Sequence, residues 1–456
     1  MRSTVEGLYH DAAALRSFVE HSKLFCDEAR HESYVEPSLD FFNHIRELAK
    51  ATVVFLERIP AQQYATELKI RTERQKLVLI KKYWTVVHRF IKPAADANTL
   101  RVPVPLVDFL SDLANTSSLP AAKIVILLSP ELNYFQHRHT GLKNANLQLR
   151  GVVLDAPEFP DGLGFIGIPY SQGSNFFTNL VIFHELGHFF FEELTKEKEL
   201  TTPIEAALNE WNDFTTLNPR EQAWSIRLLL GWAEEIYCDL FAIKLIGPSY
   251  SLAYSELLNL IGLFEPSRVK RFSESHPSDA CRFREHVNQL EADKWWPVVK
   301  RVKSEHVELI EELSDLDEQK YEFVLDEGTT APREFIDAFL KVLPHVRQEI
   351  ATTFTNITSA VEVFEKYNND IQECLLQGVV PSAVFEEINL SARSESIALI
   401  NSAFFFSLTL LSTLISNITD EKPENIEHRS RWLRRLEDWT LKSLENVRLL
   451  ENQRNA

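Results

Sequence analysis

The amino-acid sequence predicts a mainly α-helical protein with a small β-sheet, an α+β fold. Apolar residues recur at helical spacing through most of the chain. The clearest strand is the short, branched, apolar run at 123–128, which Pro130 ends. Shorter runs at 152–154 and 163–168 are expected to complete the sheet. At 456 residues the chain is too long for one ordinary core, so we expect two or three domains.

The composition is that of a globular protein, with 45% hydrophobic and 25% charged residues. A formal net charge of −18 argues against nucleic acid as the main partner. The four cysteines are scattered and form no C-x-x-C pair, which predicts a reducing compartment without a disulfide framework. Residues 1–20 carry charges throughout and lack the apolar core of a secretory signal. We therefore expect a cytoplasmic location.

Three regions are predicted along the chain: a helical region at 1–115, a mixed core at 116–295 and a second helical region at 296–456. The segment Pro93–Pro105 breaks the helical pattern near the first boundary. In the first region, apolar residues at helical spacing predict two buried helix faces. They are Phe41, Phe42, Ile45, Leu48 and Ala49 in one helix, and Leu77, Ile80, Tyr83, Trp84, Val87 and Phe90 in the other.

The segment His184-Glu185-Leu186-Gly187-His188 is the strongest chemical signal. Its flanks are strongly apolar and predict a buried helix, on which residues four apart share one face. His184 and His188 can thus reach one metal ion, and Glu185 lies beside them as a general base for an attacking water. This is the H-E-x-x-H pattern of zinc hydrolases, and it predicts one Zn²⁺ per chain. The alternative is a helix with two core histidines whose polar groups have other partners.

A second buried helix is predicted at about 220–246, and it contains the carboxylates Glu234, Glu235 and Asp239. Buried carboxylates need compensating partners. Glu235 and Asp239 share a face, so one can bind a metal while the other orients a ligand histidine. Glu234 is the rival metal ligand. An ordinary pair of carboxylates bound to lysine or arginine is the alternative.

Two further histidine segments are candidates. His276 and Pro277 follow a polar loop and precede a short predicted helix that contains Arg282. A histidine in a loop is usually an exposed residue without a role in a site. His276, however, lies close in sequence to the other site residues. His137 and His139 could face one metal ion if they lay on a strand, although such a pair is more typical of a surface segment.

The uncharged stretch Ile397–Ile418 is long enough to cross a bilayer. Polar residues recur along it, several of them in a helical stripe, and the arginine-rich flank lies ten or more residues away. We therefore expect a buried helix in a C-terminal bundle, with a membrane span as the alternative. The polar residues are Asn401, Ser402, Ser407, Thr409, Ser412, Thr413 and Ser416.

Three motifs together resemble the gluzincin metallopeptidases, and the branch that looks most similar is the heat-shock and CAAX-prenyl endopeptidases. They are HELGH at 184–188, E-x-x-x-D at 235–239 and H-P-x-x-x-x-R at 276–282, in that order. The resemblance covers roughly 120–290 and implies a zincin-like core flanked by helical domains. It implies the zinc ligands His184, His188 and Glu235, the general base Glu185, the supporting carboxylate Asp239 and the transition-state helper His276.

Two other zinc families can be weighed against this one. A metzincin needs glycine and histidine where this chain has Phe191 and Leu194, and it needs a downstream methionine, which is missing. The ImmA/IrrE-type regulators are also similar, because they pair HELGH with a glutamate-bearing helix. The gap of 46 residues between His188 and Glu235 and the His276-Pro277 motif favour the gluzincin assignment.

The predicted function is that of a zinc-dependent endopeptidase that acts on proteins or peptides. Tyr237 and Arg282 are further candidates for contacting the substrate or the oxyanion, and the strand at 163–168 could accept an extended peptide as an added strand. The alternative function is a zinc-binding regulatory protein of ImmA/IrrE-like type with little proteolysis. A membrane-associated peptidase is the third hypothesis. The sequence leaves substrate and oligomeric state open.

Overall fold

The computed structural model describes residues 2–32, 36–61, 66–98, 102–114, 119–120, 122–130, 134–137, 139–172, 175–211, 213–260, 269–326, 328–355, 360–385, 391–418 and 425–455. They are mostly helical with a small sheet, which confirms the predicted fold class at that level. The chain divides into two compact units. Unit 1 contains residues 1–111 and 121–174, and unit 2 contains 112–120 and 175–456.

This division differs from the three regions expected from the sequence. The sheet belongs with the N-terminal helices because these helices pack directly on its strands, while the HELGH helix belongs with the C-terminal helices. The elements of unit 1 are α1 (Arg2–Glu32), α2 (Glu36–Ala61), α3 (Glu67–Asn98), β1 (Lys123–Ser129), β2 (Phe135–His137), α5 (His139–Arg150) and β3 (Leu163–Pro169), and the boundary between the units falls within α4 (Val104–Ala114).

The core of unit 1 lies between the helices and the sheet. Phe165 of β3 contacts Phe41 of α2 and Phe90 of α3, with ring centroids 5.2 and 4.9 Å apart. The apolar faces predicted for these two helices are buried, because each is the side that packs against the sheet or a neighbouring helix. Pro93 does not end the helix as predicted, since α3 continues through it to Asn98.

Two strand predictions change in the structure. The strand predicted at 152–154 is a turn that follows α5, and the strand β2 takes its place in the sheet. The strand β3 pairs in parallel with β1 along its whole length and antiparallel with β2 at 165–167. Both edges of β3 are occupied there, so the hypothesis that it accepts a peptide as an added strand is wrong.

Unit 2 is built from helices and a two-stranded parallel sheet. Its elements are a 3₁₀ turn (Thr178–Val181), α6 (Ile182–Glu193), α7 (Lys196–Asn209), α8 (Pro219–Ile246), α9 (Ser249–Leu260), β4 (Arg271–Phe272), α10 (Asp279–Ala292), α11 (Trp296–Val299), α12 (Glu305–Ser314), β5 (Glu322–Phe323), α13 (Glu334–Thr353), α14 (Val361–Leu376), α15 (Ala392–Thr409), α16 (Leu411–Ile418) and α17 (Ile426–Asn455).

The helices α6 and α8 pack closely against each other. A Cβ atom at Gly187 of α6 would lie 2.7 Å from the Cα atom of Cys238 in α8, so only glycine permits this approach. The start of α8 is fixed by a capping box, in which the Asn218 side chain accepts from backbone N–H groups and Glu221 accepts from the backbone N–H of Asn218. This close contact places the carboxylates of α8 beside the histidines of α6.

The stretch Ile397–Ile418 forms most of α15 and the whole of α16, which meet at Leu410. The side chains of 395–407 are buried in unit 2, including the polar Asn401 and Ser402. The prediction of a buried helix is therefore confirmed for 397–407, whereas a break precedes α16, and Ser412, Thr413 and Ser416 of α16 are exposed. In the part of the chain that the structure describes, no helix combines the length and the apolarity that a bilayer crossing requires.

Candidate metal centre

The two histidines of HELGH face each other on α6. Their Nε2 atoms lie 3.2 Å apart, and their rings are nearly perpendicular. The helix is preceded by the 3₁₀ turn at 178–181, where the Asn175 side chain accepts from the backbone N–H of Thr178 at 3.2 Å. His184 is buried, while His188 is partly exposed. The motif therefore brings two ring nitrogens to one point beside α8.

Glu235 of α8 completes this point. One carboxylate oxygen lies 3.5 Å from Nε2 of His184, and the other lies 3.5 Å from Nε2 of His188. Burial acts to raise the pKa of Glu235, but the hydrogen bond from His184 and the positive charges around the carboxyl outweigh it and hold the pKa well below its usual range. An ionised carboxylate thus faces both imidazoles, as predicted for the E-x-x-x-D motif.

The outward ring nitrogens of the pair are held by two other carboxylates. Nδ1 of His184 donates to Asp239 at 2.8 Å, and Nδ1 of His188 donates to Glu234 at 2.9 Å. Because Nδ1 holds its proton against a carboxylate, Nε2 is the nitrogen of each ring that a metal ion would bind. Glu234, the rival third ligand, therefore lies against the outer nitrogen of His188 and orients its ring.

Asp239 is fully buried and is the centre of a hydrogen-bond network. Arg282 of α10 donates to its two oxygens from Nε and Nη2, each at 2.7 Å, and the Tyr250 hydroxyl of α9 donates to it as well. His286 places Nε2 3.2 Å from the same carboxylate. Burial acts to raise the pKa of Asp239, but Arg282 and the surrounding donors hold it well below its usual range. The carboxylate that orients His184 is thus itself fixed from three sides.

Cys238 is a competing donor. One ligand atom from each of His184, His188 and Cys238 lies within 4.8 Å of the others, so this largely buried group could hold a metal ion. Burial and neighbouring carboxylates raise the pKa of the Cys238 thiol well above its ordinary value, and metals bind the thiolate. Glu235 differs from Cys238 in that each of its two oxygens lies 3.5 Å from one of the Nε2 atoms.

Burial and neighbouring charged groups shift the pKa values of His184 and Glu185. Burial acts to lower the pKa of His184, but the hydrogen bonds to Asp239 and Glu235 raise it to about 10. Glu185 is 7% exposed, and its burial raises the pKa of the carboxyl even though the neighbouring histidines act to lower it. Within the described part of the chain no hydrogen bond engages the Glu185 side chain, which leaves its oxygens available to a water or substrate.

His276 lies at the open side of the centre. Its Nε2 atom is 3.9 Å from an oxygen of Glu235, and about half of its side chain is exposed, at 52%. Its Nδ1 atom lies 2.7 Å from the hydroxyl of Ser275, which fixes the ring. The loop thus brings His276 next to the predicted ligand, where a bound substrate could also reach it.

Two predicted contact residues lie elsewhere. Tyr237 is fully buried on the opposite face of α8, with its hydroxyl 3.2 Å from that of Thr353, so its proposed role at the oxyanion is wrong. Position 237 follows Glu235 by two residues, which is about 200° around a helix. Arg282 is buried and binds Asp239, with Nη1 3.6 Å from Glu235, so it supports the carboxylates and does not face a substrate.

Two residues beside His184 and Asp239 were not predicted from the sequence. Tyr250 stacks on His184, and its ring lies nearly parallel to the imidazole. His286 packs against Tyr250 and Phe283. His286 lies four positions after Arg282 and therefore on the same face of α10. This spacing is the signal in the sequence that could have identified it. The side chains of the segment His137–His139 lie outside the described residues.

Comparison with protein-family models, with curated proteins and with solved structures found no match. The resemblance to the gluzincins therefore depends on the three motifs and on the geometry of the side chains they contain.

Proposed function

We propose that this protein is a zinc-dependent endopeptidase that hydrolyses peptide bonds in proteins or peptides. One observation supports the proposal most directly: the Nε2 atoms of His184 and His188 and both oxygens of Glu235 converge on one point. Once a zinc ion displaces the Nε2 proton of His184, two neutral imidazoles and one carboxylate form a donor set that suits catalytic Zn²⁺, with a fourth position left for water. We propose that these three residues hold one zinc ion per chain.

The surrounding carboxylates prepare this donor set. Asp239 and Glu234 accept from the two Nδ1 atoms, which fixes the tautomer and the orientation of each imidazole. Arg282 balances the buried charge of Asp239 and approaches Glu235. The donors are therefore in place before a metal ion arrives, which favours tight binding.

The proposed chemistry assigns the proton transfers to Glu185. A bound zinc ion would lower the pKa of a coordinated water and polarise the substrate carbonyl. Glu185 takes a proton from the attacking water and delivers it to the leaving amine, and its burial-raised pKa suits both transfers. His276 is the donor at the open side of the centre, where it stabilises the charge that develops on the substrate oxygen.

Metal analysis and a proteolysis assay with labelled casein test the proposal on the full chain. We expect about one zinc per wild-type chain and its loss in His184→Ala, because a ligand is removed. Glu185→Gln should keep the zinc but lose at least about 100-fold in hydrolysis. The matched control is Glu193→Gln, an exposed glutamate of the same helix, which should change neither.

Two outcomes would contradict the proposal. A wild-type protein without bound zinc would exclude the metal centre. Zinc binding with equal hydrolysis, or none, in the wild type and Glu185→Gln would favour the zinc-binding regulatory alternative of ImmA/IrrE-like type.

A further inference from the structure

The corner between α8 and α9 joins two helices that carry residues of the Asp239 network. The helix α8 ends at Ile246, and Gly247 follows with a positive φ of 71°. The helix α9 then begins at Ser249, with Tyr250 as its second residue. The last carbonyls of one helix and the first N–H groups of the next lack partners within their own helices, and here both lie in a buried region.

Asn401 of α15 provides those partners from a different part of unit 2. Its side-chain amide donates to the carbonyl of Ile246 at 2.9 Å, at the end of α8. Its side-chain oxygen accepts from the backbone N–H of Ser249 at 3.0 Å and from the Ser249 hydroxyl at 2.7 Å, at the start of α9. The amide also donates to the carbonyl of Ile397 in its own helix. A single buried amide therefore caps the end of one helix and the beginning of the next.

This corner joins the two halves of the network around His184. The helix α8 carries Asp239, which accepts from Nδ1 of His184. The helix α9 carries Tyr250, which donates to Asp239 and stacks on His184. Tyr250 directly follows the residue that Asn401 holds, so a shift of the corner moves the tyrosine relative to the carboxylate.

The C-terminal helices also hold the other metal-binding helix. The Glu437 side chain of α17 accepts from the backbone N–H of Phe177 at 3.4 Å, just before the 3₁₀ turn that leads into α6. Arg393 of α15 donates to the carbonyl of Lys244, close to the end of α8. Both helices that supply the proposed ligands are thus fixed by side chains from residues 392–455.

We infer that Asn401 is a positioning residue for the metal centre, and that the C-terminal helices set the metal affinity of the site by holding the corner between α8 and α9. The inference rests on the proposed zinc function. Loosening the corner releases Tyr250 from Asp239 and leaves His184 less restrained. Loss of a residue that orients a ligand typically lowers metal affinity by about 10- to 100-fold.

The test compares Asn401→Ala with Asn446→Ala in the full-length, metal-free protein. Asn446 of α17 also makes a hydrogen bond between C-terminal elements, to Ser382 at 2.9 Å, and serves as the matched control. Zinc affinity is measured by competition with a chromophoric chelator, and ligand geometry by the visible absorption of bound Co²⁺. We expect Asn401→Ala to weaken zinc binding by about 10- to 100-fold and to change the Co²⁺ spectrum, whereas Asn446→Ala should do neither.

The outcomes separate this inference from the proposed function. If the wild type binds no zinc, the proposed function and this inference both fall. If the wild type binds zinc and Asn401→Ala binds it equally tightly with the same Co²⁺ spectrum, only this inference falls. If Asn401→Ala does not fold, Ser249→Ala decides, because it removes only the 2.7 Å hydrogen bond from the corner. A smaller loss of zinc affinity in that variant supports the inference, and an unchanged affinity overturns it.

Discussion

Two buried histidines, one in each unit, show opposite responses to burial. His44 lies in the core of unit 1 against the ring of Phe159, and Nε2 has no hydrogen-bond partner among the described residues. Burial alone lowers the pKa of His44 to about 4. His184 is equally buried, but its hydrogen bonds to Asp239 and Glu235 outweigh the burial and raise its pKa to about 10. The partners of the ring, and not its depth, decide which form it takes.

The cores of the two units differ in whether they contain buried charges. Unit 1 stabilises its core by packing apolar side chains from helices against a sheet, and it keeps a buried histidine neutral. Unit 2 buries several charges and compensates them mutually through Asp239 and Arg282. Such a network is sensitive to the loss of any one member, because the remaining charge is left without a partner.

Removing the buried cation should give the largest effect. In the metal-free protein, Arg282→Met leaves Asp239 without its bidentate partner, and we expect the free energy of unfolding to fall by about 3–5 kcal/mol. Urea unfolding followed by tryptophan fluorescence measures the free energy of unfolding of unit 2, because seven of the eight tryptophans lie in that unit and only Trp84 lies in unit 1.

The control for Arg282→Met is Arg301→Met, because Arg301 is exposed and pairs with Glu365 at the surface of the same unit. It should cause a much smaller change, as is usual for surface ion pairs. Equal stability of Arg282→Met and the wild type would show that Asp239 is not charged in the metal-free protein.

Removing the neutral histidine of unit 1 should give a smaller effect that depends on pH. The pKa of His44 is about 4 in the folded protein against an ordinary value of 6.5, so the unfolded chain binds more protons between these values. Its contribution to stability is therefore present above pH 6.5 and is lost as the pH falls toward 4, by about 3 kcal/mol. His44→Leu removes this dependence.

Urea unfolding of the wild type and His44→Leu at pH 7 and pH 4, followed by circular dichroism, checks the prediction. The variant should gain stability relative to the wild type as the pH falls. His10→Gln, which changes an exposed histidine of the same unit, should show no such gain. A constant difference between His44→Leu and the wild type at both pH values would contradict the assigned pKa.

Sequence periodicity predicted the parts of the site that lie on one helix face. The spacing of four residues in the pairs His184 and His188, and Glu235 and Asp239, is enough to place each pair together. The apolar residues around them indicated burial, and buried carboxylates indicated partners. The contacts that close the network come from α9 and α10. Sequence spacing does not predict them, because they depend on how α9 and α10 pack against α8.

Two wrong predictions have simple physical reasons. The hydroxyl group of Tyr237 is a potential oxyanion donor, but its position between Glu235 and Asp239 places it on the far side of α8. The run at 152–154 is apolar and branched, yet three residues are too few to distinguish a strand from the turn after a helix. The uncharged run at 397–418 predicted a buried helix because a bilayer span was the alternative, and the structure buries this run fully only as far as Ser407.

The smallest expected effect comes from removing one buried hydroxyl group, and its size depends on whether the hydrogen-bond partner is charged or neutral. Tyr250 and Tyr237 are both fully buried, but Tyr250 donates to the carboxylate of Asp239 while Tyr237 pairs with the hydroxyl of Thr353. Tyr250→Phe should lower the free energy of unfolding of the metal-free protein by about 1.5–3 kcal/mol, and Tyr237→Phe by about 1 kcal/mol, because bonds to charged groups contribute more. Tyr250→Phe should also weaken zinc binding by about 10- to 100-fold, which chelator competition measures, because its hydroxyl helps to fix the carboxylate that orients His184. Tyr237→Phe should bind zinc like the wild type. A loss of zinc affinity in Tyr237→Phe equal to that in Tyr250→Phe would mean that the Asp239 network does not control the metal centre, and that the two buried hydroxyls act only through general stability.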